Sequence, residues 1–181
     1  MPEEFNDLHG MAPDSNDIAL LLIDVINHLD FEQNEEAARK ADIPIIYVND
    51  NFGKWKSDFH NVIEYVINEN KPDFVLKPKH SGFYCTPLDL LLNHLDTETL
   101  ILAGFAGNIC VLLTANDGYM RNYKLIVPSD YIGSNTIKKN YACLEQMKKL
   151  LKADTRSSID IIKEIEKMPK NKKNDEKRAK T

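Results

Sequence analysis

Five short apolar runs, separated by stretches of helical periodicity, constrain this chain more than any other feature. They read IALLLID (18–24), IPIIYVND (43–50), DFVLK (73–77), ETLILAG (98–104) and KLIVPSD (124–130). Runs apolar at nearly every position suit strands buried on both faces of a parallel sheet. Parallel strands need crossovers, and the intervening patterns supply helices. DFHNVIEYVINE (58–69) carries an amphipathic stripe at 59, 62, 63, 66 and 67. TPLDLLLNHL (86–95) opens with Thr86 as an expected N-cap and Pro87 at the first helical position. Helical patterns also cover 110–123, 135–153 and 157–168, the second with its lysines late, as the helix dipole favours. Alternation of this kind predicts an α/β fold: a doubly wound, mainly parallel sheet flanked by helices.

One unit is short. Only 18 residues separate Asp24 from Ile43, and their helical part, NEEAARKA (34–41), makes about two turns, roughly 12 Å. A six-residue strand spans about 20 Å. The first crossover helix is therefore expected to be shortened, leaving part of the sheet thinly covered. The organisation expected is an N-terminal extension (1–15), one domain (16–167) and a lysine-rich, aperiodic tail (168–181) read as disordered.

Composition excludes some functions. A formal net charge of -5 argues against a general nucleic-acid or membrane-surface binder. No run approaches the roughly 20 apolar residues that span a bilayer. The N-terminus, MPEEFNDLHG, has no basic region followed by an apolar one. Cys85, Cys110 and Cys143 are odd in number and widely spaced, which fits free thiols and a cytoplasmic setting.

In an open parallel sheet, ligands sit beyond the carboxyl ends of the strands at the topological switch point. Three chemically useful side chains fall there. Asp24 ends the first run, Lys77 the third, and Cys110 follows the fourth after a tight turn. A neighbouring lysine and a helix N-terminus both favour a thiolate. A carboxylate can take the thiol proton and return it to a leaving group. On the residues alone, each also has a structural reading: Cys110 as a core thiol, Asp24 as a strand-end cap, Lys77 as a solvated lysine.

LLLIDVINHLDF, IIYVNDNFGKWKSDF, VLKPKHSGFYCTPLDLLL and LILAGFAGNICVLLTANDGYMRNYKLIVPSD together resemble the isochorismatase-like cysteine hydrolase family, in order through about residues 16–154. The resemblance implies a doubly wound α/β fold and a catalytic triad of Asp24, Lys77 and Cys110. Lys77 lies in a K-x-x-x-S-x-F stretch with Ser81 and Phe83. Cys110 lies in a G-x-x-x-N-x-C-V turn with Gly104, Asn108 and Val111. It further implies a cis peptide at Phe105–Ala106, and an oxyanion hole from the backbone N–H groups of Ala106 and Cys110. The activity implied is hydrolysis of an amide-type C–N bond of a small molecule through a thioester. Isochorismate-type vinyl ether hydrolysis is the alternative, or an inactive, scaffolding relative weakened by the short crossover. Relatives are often dimers or tetramers, so a homo-oligomer is expected.

Metal-dependent relatives carry a D-x-H stretch after the second strand. Here NDNFGKW keeps Asp50 but has Phe52 in place of the histidine, with His60 alone nearby, so neither metal nor other cofactor is expected. Asn51, Trp55, Phe83 and Tyr84, near the ends of the second and third strands, are the expected substrate-binding residues.

Overall fold

The computed structural model describes residues 16–25, 43–50 and 73–167. Its strands are β1 (Ile18–Ile23), β2 (Ile45–Asp50), β3 (Asp73–Lys77), β4 (Thr99–Phe105), β5 (Lys124–Ile126) and β6 (Ile132–Gly133). The helices are α1 (Leu88–His94), α2 (Leu112–Met120), α3 (Ile137–Leu150) and α4 (Ser158–Ile165). All the strand pairings are parallel, in the order β3-β2-β1-β4-β5, with β6 also on β4. The doubly wound α/β reading therefore holds. The short first crossover falls within 26–42 and the amphipathic stripe within 58–69, both outside the described residues.

Side chains alternate between two buried layers, as the strand period of two requires. Leu21, Ile23, Ile46, Val48, Leu100 and Leu102 meet Leu88 and Leu92 of α1, Ala115 of α2 and Met147 of α3. Leu20, Leu22, Ile45, Tyr47, Ile101 and Ala103 form the other layer, where Tyr131 and Ile165 pack. Each fully buried aliphatic side chain contributes about 1.5–3 kcal/mol. All six residues of β1 are buried, which explains the unbroken apolar run.

Local differences from the expected elements have physical causes. α1 starts at Leu88, and Pro87 takes the cap position at φ -79, ψ 8. Thr86 still serves the helix end, since its Oγ accepts from the Leu88 N–H at 3.3 Å. The fifth run is a strand only over Lys124–Ile126, because Val127 and Ser129 turn their N–H groups to Asp154 and Arg156 instead. Thr136 and Ser157 cap α3 and α4 through their side-chain oxygens.

The last difference lies next to Cys110. The helix after β4 starts as a wide turn over Gly107–Val111, with the Val111 N–H reaching the Ala106 carbonyl five residues back at 3.3 Å. Gly104 makes the turn possible. Its φ is +131, and a Cβ there would stand 1.9 Å from the Ile23 carbonyl oxygen. Only glycine accepts both constraints. The peptide bond Phe105–Ala106 is trans, correcting the cis bond expected there. The positive φ of Gly104 and the extended Ala106 (φ -68, ψ 115) redirect the chain without the roughly 3 kcal/mol that a non-proline cis bond costs.

Candidate active site

Asp24, Lys77 and Cys110 come from three strand ends and meet in one buried cluster. The topological switch lies between β1 and β4, whose onward connections lead in opposite directions along the sheet. Asp24 follows β1 with a φ of 52, and its N–H is held by the Val48 carbonyl at 3.0 Å. Cys110 sits on the wide turn after β4. Lys77 ends β3, two strands from β1 and three from β4, and its long side chain reaches the ends of both.

Lys77 is fully buried. Its Nζ lies 2.9 Å from Asp24 Oδ2, 3.5 Å from Asp50 Oδ2 and 3.7 Å from Cys110 Sγ. A buried ammonium demands such partners, since an unpaired charge in the interior costs several kcal/mol. Asp24 Oδ1 accepts the Asp50 backbone N–H at 2.8 Å, so both of its oxygens are engaged. Asp24 and Cys110 are themselves buried, at 8% and 7% exposed.

Burial dominates the electrostatics of the sulfur. Burial pushes the Cys110 thiol up to about 12 from its ordinary 9.0, and the Asp24 carboxylate beside it pushes the same way. Lys77 pulls it down, but does not prevail. The resting sulfur is a thiol rather than a thiolate.

Supporting contacts explain the motif residues. The Ser81 hydroxyl bonds the Asp117 carboxylate, and the Gly82 N–H donates to Thr114 Oγ at 3.0 Å. Thr114 in turn donates to the Cys110 carbonyl at 2.8 Å. The loop after Lys77 is thus tied to the helix after Cys110. Ser134 Oγ accepts the Asn108 N–H at 3.1 Å and fixes the other side of the turn.

The expected lining residues fare differently. Asn51 and Trp55 lie outside the described residues. Tyr84 is exposed. Phe83 is 5% exposed, its ring 5.9 Å from that of Tyr123 and 4.7 Å beneath the Arg121 guanidinium. Tyr123 immediately precedes β5, so Phe83 packs toward the amino-terminal end of the sheet, in the core under α2 rather than on a cleft wall. Among the described residues, no group of three or more His, Cys, Asp or Glu side chains could hold a metal ion. Phe52 and His60 lie outside them.

Two residues of the cluster were not singled out for it. Asp50 had a visible signal, because the second apolar run, like the first, ends in an acid. His80 is exposed, and its Nδ1 stands 3.7 Å from Cys110 Sγ. Its position in the sequence, before Ser81, gave no sign of that contact.

The fold and this cluster first define a class: a doubly wound α/β protein with acid, ammonium and thiol gathered at its switch point. The Isochorismatase domain model matches residues 31–158. The chain is 38% identical over 175 residues to the uncharacterized isochorismatase family protein YaaI of Bacillus subtilis, covering 81% of this chain and 97% of that one. It therefore belongs to the isochorismatase family, a family of hydrolytic enzymes. An isochorismatase-like hydrolase from Alkaliphilus metalliredigens superposes with a TM-score of 0.68 at 26% identity, over 82% of this chain and 99% of that one. N-carbamoylsarcosine amidase from Thermoplasma acidophilum shares the fold, with a TM-score of 0.67 at 24% identity over 79% and 97% of the two chains. A shorter match, 51% over 59 residues, links 32% of this chain to 24% of ureidoacrylate amidohydrolase RutB from Methylorubrum extorquens.

Proposed function

We propose that residues 16–167 form a cysteine-dependent hydrolase that cleaves an amide-type C–N bond of a small molecule through a thioester. The observation that carries this reading is the buried Lys77 ammonium, 2.9 Å from Asp24 and 3.7 Å from the Cys110 sulfur. A buried cation shared by a carboxylate and a thiol is costly unless used. The amidases among the relatives and structural neighbours support C–N chemistry.

Because the resting sulfur is protonated, attack and proton transfer go together. As Sγ bonds the carbonyl carbon, its proton passes to Asp24, so the charge of the cluster is unchanged until the oxyanion forms. Lys77 keeps the carboxylate aimed at the sulfur. The Cys110 N–H, near the start of the helical segment, stabilises the developing oxyanion. Asp24 then gives its proton to the departing nitrogen, the C–N bond breaks, and the thioester remains for water to hydrolyse.

The test is mass spectrometry of an acyl-enzyme trapped across a panel of small amides and ureido compounds, beside Cys110→Ser. An adduct on Cys110 and at least a 1,000-fold loss of turnover in the variant are expected. Wild-type turnover in Cys110→Ser would refute the mechanism. Turnover of isochorismate alone, with no adduct, would shift the assignment to vinyl ether hydrolysis.

A further inference from the structure

The second half of the proposed mechanism moves protons twice, next to water arriving from solvent. Thioester hydrolysis requires a base for the incoming water and a proton for the departing sulfur. Asp24, which serves the formation of the thioester, is buried, its oxygens held by the Asp50 N–H and Lys77. Lys77 is buried completely and already faces two carboxylates. His80 differs from both. Its side chain is exposed to solvent, and Nδ1 reaches to 3.7 Å from Cys110 Sγ.

Resting on the cysteine-hydrolase reading, we infer that His80 is a further catalytic residue, serving the hydrolysis of the thioester rather than its formation. The carbonyl carbon of a thioester is one C–S bond from Sγ. A water bonded to Nδ1 therefore comes within reach of that carbon from the solvent side. The imidazole takes a proton from this water as its oxygen bonds the carbonyl carbon. When the tetrahedral intermediate collapses, the C–S bond breaks and its electron pair returns to sulfur. The imidazolium proton then passes to Sγ, restoring the thiol and a neutral imidazole, and the acid product departs. The second transfer matters because a buried sulfur that holds its proton up to about 12 is a poor leaving group as an anion. The loop keeps this geometry through Ser81, the next residue, whose hydroxyl is fixed on Asp117.

The probe is 4-nitrophenyl acetate, which acylates a thiol with release of a coloured leaving group. His80→Gln and His80→Asn are compared with the wild type by stopped flow and by mass spectrometry of the protein during turnover. The asparagine variant keeps a polar group near Nδ1 but cannot carry a proton. In both variants the first release of nitrophenolate should stay within about 3-fold of wild type. The steady-state rate should fall by at least about 100-fold, the low side of general-base effects. Acetylated Cys110 should accumulate above its wild-type level. Hydroxylamine, a nucleophile that needs no added base, should restore turnover. Acyl-enzyme no higher than wild type, or wild-type turnover in His80→Asn, would overturn the role of His80 alone. If Cys110→Ser reacts like wild type, or Cys110 is never acetylated, the cysteine reading itself fails and this inference with it.

Discussion

Replacing Lys77 by methionine tests the electrostatic centre of the structure. The substitution keeps length and apolar stem but removes the ammonium that lies 2.9 Å from Asp24 Oδ2 and 3.5 Å from Asp50 Oδ2. At an effective dielectric constant of about 20, these pairs have gross attractions of roughly 6 and 5 kcal/mol. Desolvating the lysine offsets much of that. What decides the outcome is that the Asp24 carboxylate, its side chain only 10% exposed, loses the ammonium 2.9 Å away. Breaking a buried pair from one side costs about 3–5 kcal/mol, and that loss is expected in urea unfolding followed by circular dichroism. Neutralising the partners should reverse it. In a background with Asp24→Asn and Asp50→Asn, Lys77→Met should cost less than half as much, since a whole ionic group replaced by neutral residues is often near neutral in stability. A loss under about 1 kcal/mol in the single variant, or an equal loss in both backgrounds, would refute the assignment of Lys77 as the cluster's compensating charge.

The Cys110 thiol should respond to alkali in a defined direction. Its folded value is raised, to about 12 from 9.0, so its contribution to stability is full below pH 9 and is lost as pH rises from 9 toward 12. The stability of the wild type relative to Cys110→Ser should therefore fall across that window by up to about 1.4 kcal/mol per pH unit, and a constant difference in chemical denaturation would contradict it. Iodoacetamide should alkylate Cys110 faster with every step of pH up to about 12, and Asp24→Asn should move that curve to lower pH, because the carboxylate helps to hold the proton on sulfur. Gly104→Ala should fail to give soluble folded protein or lose more than about 3 kcal/mol, since its Cβ would overlap the Ile23 carbonyl; a melting temperature within a few degrees of wild type would count against the turn geometry. Met147→Ala, in the core beside Cys143, should cost about 2–5 kcal/mol in urea unfolding while leaving the site's chemistry intact.

What could be read from the residues divides by physical cause. β1, β2 and β4 were legible because double-sided burial leaves no polar position, and Asp24 and Lys77 were legible because they end such runs. Asp50 ends one too, but without knowing how β2 and β3 pair in register, nothing linked it to Lys77. The register sets Asp50 directly opposite that lysine. The wide turn at Gly107–Val111 was not legible, because periodicity locates apolar faces and not which carbonyl a given N–H reaches. β6 has two residues, below any pattern's length. Phe83 looked like a lining residue because its stacking partner, Tyr123, stands forty positions away in the sequence. The state of the thiol was not legible for a similar reason. A lysine is visible as a letter, whereas the desolvation that outweighs it exists only after folding.

β4 carries a consequence of its own. It is laddered to β1 over six positions, to β5 over three and to β6 over two, so both its edges are occupied. Amides in such a strand exchange with deuterium only when neighbouring strands separate, so their protection should approach that of global opening. The sulfur thus follows directly on a strand paired along both edges. The imidazole beside it rides on the loop after β3, outside the ladder, where side-chain bonds rather than paired strands hold the backbone.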